Sequence, residues 1–247
     1  MAKIISFISG KGGAGKSTTA AGVGAALAKK GKRVLLVDCD IGFENQSIIT
    51  GLCESVVYNW EDVISNRCKP ADAIYKSPLC EGLYLLPAPH DTDRQYPEGI
   101  LADLLNIISN NFDFIFTDSS AGVGEAFKLS IYPADEAILV CTDDAICLRG
   151  GYFAADRALK AVKRASLVLN CFKDYPVRHS LVPNIDEAMD EVCLPLMGVV
   201  PYDGSISFRA GSGRTLFDSS AAVKAYDRIA DRLCGENIPL PDSFENG

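Results

Sequence analysis

The sequence predicts a doubly wound α/β fold, a mostly parallel β-sheet flanked by helices. Three observations predict it: short apolar runs recur along the chain, helical patterns lie between them, and the first run opens through a glycine-rich turn into a helix. The runs read "KIISFIS", "RVLLVD", "GLYLLPA", "FDFIFTD", "EAILVCT", "SLVLN" and "LMGVVP". They are nearly continuous in apolar residues rather than alternating, as strands covered on both faces must be. Helices are expected at 15–30, rich in alanine and closed by Gly31, and at 99–108, 148–162 and 221–233, where apolar residues recur three and four apart. Strands and helices in alternation require right-handed crossovers and place ligands at the carboxyl ends of the strands.

The 247 residues, 48% of them hydrophobic, suffice for one large core, so a single domain over 1–247 is expected. The end of the chain, 235–247, carries two prolines and three acids and is expected to fray. Net charge is -8, so the chain as a whole repels nucleic acid and anionic lipid unless basic groups cluster, and no run of Lys and Arg is obvious. Nine cysteines without a CxxC or CxC pair argue for reduced thiols in a cytoplasmic protein. Met1 leads straight into a strand pattern, which is not how a secretory signal reads, and no apolar stretch reaches the ~18 residues of a spanning helix.

The turn after the first run carries the most specific signal. Residues 10–17, "GKGGAGKS", fit G-x-x-x-x-G-K-[ST] between a strand and a helix, the context the motif requires. Gly10, Gly12, Gly13, Ala14 and Gly15 would curl their N–H groups around phosphate oxygens, Lys16 would neutralise β/γ charge, and Ser17 would offer a hydroxyl to Mg²⁺. Two further runs end in acids: "RVLLVDCD" brings Asp38 and Asp40 to a strand tip, and "FDFIFTD" brings Asp118. Carboxylates there can hold Mg²⁺ or orient an attacking water; each taken alone reads equally as a turn or helix cap. Lys11, a second lysine inside the loop, reads from chemistry alone as a solvated side chain.

With that lysine included, the loop "KGGAGKST" resembles the MinD/ParA family of deviant Walker A P-loop ATPases, whose loop reads KGG-x-GK-[ST]-T. "VDCDIGFENQSIITGL", "VVYNWEDVI", "LYLLPA", "FDFIFTDSSAG", "ADEAILVCT" and "GVVPYDGSISFRAG" resemble segments of the MinD branch in order, so that the likeness covers about 2–235. The resemblance implies ATP and ADP with Mg²⁺, slow ATP hydrolysis stimulated by a partner, and an ATP-dependent homodimer. It implies that Lys11 reaches the phosphates of the other subunit, much as an arginine finger does. It makes Asp40 the water-orienting carboxylate, assigns Asp38, Asp118 and Ser17 to the metal, extends the phosphate loop to Thr18, and places Asn170, Pro201 and Asp203 at the adenine. On the MinD side it implies a role in placing the division site, with a division inhibitor and an ATPase activator of the MinC and MinE types as partners.

Some positions depart from that pattern. Ser120 and Asp143 stand where prolines are usual, and Glu44 where a basic residue is common. Instead of a cationic amphipathic helix the sequence closes on "PLPDSFENG", so membrane association is not expected from these residues alone. Two other readings remain. An iron–sulfur or metallocofactor ATPase needs paired cysteines at the dimer interface, and Cys141 and Cys147 are the candidates, although core thiols fit them better. A DNA-riding partition ATPase needs a basic strip, for which Lys160, Lys163, Arg164, Lys224, Arg228 and Arg232 are the nominees; with this net charge nucleic acid is not expected.

Overall fold

The computed structural model describes residues 1–43, 45–97, 99–173, 177, 179, 181–206 and 220–241. Glu44, residues 207–211 of the "GVVPYDGSISFRAG" segment and the tail from 242 lie outside the described residues.

Strands β1 (Lys3–Ile8), β2 (Val34–Asp38), β3 (Tyr75–Lys76), β4 (Leu83–Leu86), β5 (Phe114–Asp118), β6 (Glu136–Cys141), β7 (Arg164–Phe172) and β8 (Leu196–Pro201) form one sheet, in the order β3-β4-β2-β5-β1-β6-β7-β8. All pairings are parallel except that of β3 with β4. Every apolar run read from the sequence is a strand, and β3, two residues long, is too short to leave a pattern. The sheet is buried on both faces because alternate side chains feed different cores. Leu36, Phe116 and Val140 pack with one cluster, and Leu35, Ile115 and Leu139 with the clusters behind.

Helix α1 (Lys16–Lys29) and helix α8 (Ala221–Leu233) cover the first face. The small residues of α1 allow close approach, since a Cβ on Gly22 would come within 2.5 Å of the Tyr226 ring. That tyrosine is fully buried, and its hydroxyl is hydrogen-bonded with Thr19. The other face carries α3 (Trp60–Ile64), α4 (Ile100–Ile108), α5 (Glu125–Ile131), α6 (Ala145–Ala158) and α7 (Ile185–Val192), while α2 (Asn45–Ile49) follows β2. Helices α2, α3 and α5 are too short for a clear apolar period, whereas α7 buries Ala188 and Val192 four apart, an amphipathic spacing not among those expected from the sequence. Helix α6 starts and stops earlier than the spacing indicates, because the Asp144 side chain accepts the Cys147 N–H and sets the first turn. Beyond α8 the chain is tied back as far as Ile238, whose carbonyl accepts from the Arg232 guanidinium at 3.0 and 2.6 Å.

Beside the central strand the main chains of Gly10 and Gly150 lie back to back: a Cβ on Gly10 would sit 2.0 Å from the Gly150 carbonyl carbon. Gly10→Ala is therefore expected to destabilise the protein by about 3 kcal/mol, the upper part of the overpacking range, because main chain faces main chain. An added Cβ on Gly12 meets nothing within 4 Å, so Gly12→Ala should stay within about 0.5 kcal/mol of the parent. Urea unfolding without nucleotide reads both, and equal stabilities would contradict this packing.

Candidate nucleotide site

β1 lies between β5 and β6, and the chain crosses to either side of it, so the loop that leaves β1 stands at the switch point of the sheet. Gly13 and Gly15 hold φ of 80° and 84°, conformations that open the turn into α1 and that side chains resist. Gly15 is the N-cap and the first turn of α1 carries no acid, so its free N–H groups face the cleft uncompensated. The cleft holds about 300 Å³ and is lined by Ser9, residues 12–18, and, from the facing segments, Asp40, Asn45, Ile49 and Ala121. Gly12 and Gly13 leave open space above it.

At its floor, Lys16 is 7% exposed; its ammonium contacts Asp118 Oδ1 and donates to Ser17 Oγ at 3.3 Å. Asp118 is the register partner of Asp38 on the adjacent strand, so two buried carboxylates stand side by side. Gln46 donates its Nε2 to the other oxygen of Asp118 at 2.7 Å and to the Ser17 carbonyl at 3.1 Å. Asp38 accepts the N–H of Asp40 at 2.9 Å and that of Gln46 at 3.4 Å, and the Trp60 indole donates to its main-chain oxygen at 3.0 Å. Burial and then the charge of Asp118 hold the Asp38 carboxyl well above the usual range. The turn-forming and site-forming readings of Asp38 are thus both realised. Asp40 is half-buried and faces the cleft; Asn45 donates to it at 3.4 Å, and burial pushes its carboxyl up.

These groups fit a magnesium–nucleotide pair. Ser17, Asp38 and Asp118 form a hard oxygen set beside a helix N-terminus, the combination that suits Mg²⁺ and polyphosphate. Among the described residues Gln46 Oε1 is a buried acceptor without a partner, as expected of a place that a hydrated cation completes.

The remaining sequence candidates, Lys11, Asn170, Pro201 and Asp203, are not among the residues that line this cleft. Lys11 is half-exposed and turned to α6, where its ammonium pairs with Asp144 Oδ1 at 3.1 Å. The Asp144 carboxyl is held below its usual range by the Cys147 N–H and by Lys11. Asn170 lies beneath the loop, its Nδ2 donating to the Ala14 carbonyl at 2.8 Å and packed against Gly15. A register shift between Leu169 and Phe172, with Cys171 at φ 55°, turns it there. Pro201 ends β8, and Asp203 accepts from Ser205 N and Oγ at 2.9 and 2.6 Å. Burial opposes ionisation of Asp203, but hydrogen bonds from Ser205 and Ser220 hold its carboxyl below the usual range. Gln46, Asn45 and Asp144 are the site residues that spacing does not single out. Gln46 is buried on α2 with Ser47 and Ile49, a helix too short to show a period, so no spacing signal marks it.

Cys141 at the end of β6 and Cys147 in the first turn of α6 are buried, at 0% and 1% exposure, and contact one another. The Cys141 side chain lowers the Cys147 thiol to about 6, and its own thiol is pushed up. Both belong to the core cluster of this chain, not to a surface that a second subunit could share. Of the basic nominees, Arg232 also donates to the Met197 carbonyl at 2.8 Å.

A family model described as an AAA domain matches residues 2–165. The septum site-determining protein MinD of Bacillus subtilis is 33% identical over 97% of this chain and 92% of its own, and that of Helicobacter pylori is 34% identical over 96% and 92%. The chain belongs to the MinD/ParA family of P-loop ATPases. The MinC:MinD cell division complex of Aquifex aeolicus superimposes with a TM-score of 0.89, at 30% identity over 97% of this chain and 98% of that one. MinD of Pyrococcus horikoshii, solved with Mg-ADP, gives 0.83 at 28% identity over 94% and 96%. A MinD-type ATPase works on ATP and ADP with Mg²⁺, the chemistry the cleft accommodates.

The raised Asp38 pKa has a measurable consequence. Above about pH 4 an aspartate in the unfolded chain is ionised, whereas the folded one keeps its proton to higher pH. The native state then binds more protons, so this group makes stability fall as pH rises from the unfolded toward the folded pKa. Urea unfolding of the nucleotide-free protein between pH 4 and 7 should show the parent losing stability relative to Asp38→Asn as pH increases. A gain relative to the variant over that range would contradict the assignment.

Proposed function

We propose that this chain is an ATP-switched MinD-type ATPase of one domain that works in placing the division site. ATP would join two copies, and hydrolysis, slow until a partner stimulates it, would release them. The observation that carries the reading is the cleft itself: Lys16, Ser17, Asp38, Asp40 and Asp118 meet at one helix N-terminus. Its support from relatives is that they bear the name of septum site-determination and that one of them is solved in complex with MinC. A division inhibitor of the MinC type and an activator of the MinE type are accordingly the proposed partners.

Within this reading Lys16 and the loop Gly10, Gly12, Gly13, Ala14, Gly15, Ser17 and Thr18 bind the phosphates. Ser17, Asp38 and Asp118 hold Mg²⁺, which neutralises charge on the transferring phosphoryl group when bound. The Lys16 ammonium must leave Asp118 to reach that phosphate. Asp40, at the rim of the cleft, orients the attacking water. Asn170, Pro201 and Asp203 are the proposed adenine side; Asn170 has one Nδ2 proton committed to the loop and its Oδ1 left to accept from an amino group. Lys11, outside its own cleft and paired only at the surface, is free to serve the neighbouring subunit's phosphates.

Lys16→Ala should weaken Mg²⁺–ATP binding by about 10- to 100-fold, the loss expected when a charge-assisted contact is removed. Calorimetry measures it, and unchanged affinity would reject the site. Light scattering and phosphate release then separate the remaining roles. The parent should dimerise with ATP and Lys11→Ala should not, whereas Asp40→Ala should dimerise yet hydrolyse about 100-fold or more slowly. A Lys11→Ala protein that still dimerises, or an Asp40→Ala protein with normal turnover, would refute the division of labour.

A further inference from the structure

Gln46 makes more contacts with the metal positions than any structural need of α2 explains. Its side chain is 0% exposed. Its Nε2 donates to Asp118 Oδ2 and to the Ser17 carbonyl, and its main-chain N–H donates to Asp38 Oδ2. All three partners belong to residues proposed to hold Mg²⁺. Both partners of Nε2 are pure acceptors, so the amide cannot be turned end for end without setting oxygen against oxygen. Its orientation is therefore dictated, and Oε1 is left as a buried acceptor with no donor among the described residues.

We propose that Gln46 is an additional member of the magnesium site: Oε1 accepts a hydrogen bond from a water bound to the cation, while Nε2 fixes Asp118. The inference rests on the magnesium–nucleotide reading above. Mg²⁺ sheds its water reluctantly and keeps several molecules in its shell. Each bound water has committed a lone pair to the metal and turns its protons outward, so the shell needs acceptors around it. Asp38 and Asp118 supply some, but they already repel one another, and a third carboxylate would add to that repulsion. A neutral amide oxygen supplies an acceptor without adding charge. A glutamine kept only to fasten helix to loop would need its NH₂ alone, and burying the oxygen unpaired would be pure cost.

The placement also joins the ion to the hydrolytic segment. Gln46 follows Asn45, whose amide donates to Asp40, so a Gln46 held between Asp118 and a metal-bound water would fix the start of α2 and the neighbouring Asp40 together. Gln46 is a positioning residue in this scheme, acting on the metal-bound water and on Asp118.

The test is ADP binding by the full chain with Mg²⁺ and with EDTA, read by calorimetry, with circular dichroism as the check on folding. In Gln46→Met, similar in length and helix preference, the apparent Mg²⁺ affinity of the ADP-bound protein should fall about 10- to 100-fold, as for other residues that orient a metal shell, while ADP affinity in EDTA stays at the parent's value. An unchanged Mg²⁺ response in Gln46→Met overturns the inference. So does a fall in ADP affinity in EDTA as large as the fall with Mg²⁺, because that is what losing the N–H donor to Asp118 and Ser17 alone would give. Should Gln46→Met not fold, Gln46→Leu, which also removes the acceptor oxygen, is read in its place by the same two measurements. If Mg²⁺ fails to tighten ADP even in the parent, the magnesium reading itself falls and takes this inference with it.

Discussion

Two aspartates at the ends of adjacent buried strands, Asp38 and Asp118, cannot both carry unopposed charge out of water, and the Lys16 ammonium is what opposes it. The carboxylates come from β2 and β5 and the ammonium from the first residue of α1, so three elements must meet in register to place them. The compensation is unequal. Asp118 receives both Lys16 and Gln46, whereas Asp38 accepts the main-chain N–H groups of Asp40 and Gln46, and burial and the charge of Asp118 hold its carboxyl up. This asymmetry suits the proposed magnesium site: a divalent ion held by the same oxygens would relieve both carboxylates and free the ammonium for phosphate.

The surrounding structure reads as support for that cluster. Gly22 and Gly24 bring α1 against the sheet and α8, and the Gly10–Gly150 contact fixes the loop from the other side. Behind Asp38, the Trp60 indole holds the strand end, and its ring meets Tyr96 edge-on at 4.6 Å. The neighbouring Glu61 is almost fully buried, yet satisfied by Arg94, by Arg67 at 3.1 Å and by the Tyr96 hydroxyl at 2.7 Å. A buried carboxylate with three donors tolerates little displacement, so the β2 end is braced through α3 as firmly as the loop is through α6.

How far the sequence could be read depended on whether a feature was encoded locally. Apolar runs buried on both faces are visible one strand at a time, and the glycine loop carries its own context, so the sheet and the phosphate cradle were legible. Strand β3 and helix α2 are too short for a period to develop, and each exists because a neighbour holds it: β3 pairs with β4, and Gln46 ties α2 to Asp118. Asn170 reaches the loop only through a shift in β7 pairing that no residue type announces. Asp144 looked like an ordinary acid; its position comes from a carboxylate that one lysine and one helix start both use. Lys11 acquired a role through family resemblance, since a single exposed lysine has no local signature.

The sharing of Asp144 bears on how such a switch could move. The carboxylate caps α6 through the Cys147 N–H and pairs with Lys11 through the same Oδ1. Both Lys11 and Asp144 are half-exposed, so solvent and salt screen the pair and little is lost when Lys11 turns away. The cap survives that departure, because the helix N–H remains bound and the helix N-terminus still welcomes a negative charge. Lys16 is placed differently: its partner is buried, so its release requires another cation to replace it. Under the proposed function the two lysines of the loop would therefore respond to different events, Lys16 to the arrival of Mg²⁺ with nucleotide and Lys11 to an approaching phosphate alone. Separating a guarded lysine from a loosely held one would let nucleotide binding precede association, the order that the proposed ATP-dependent dimer requires.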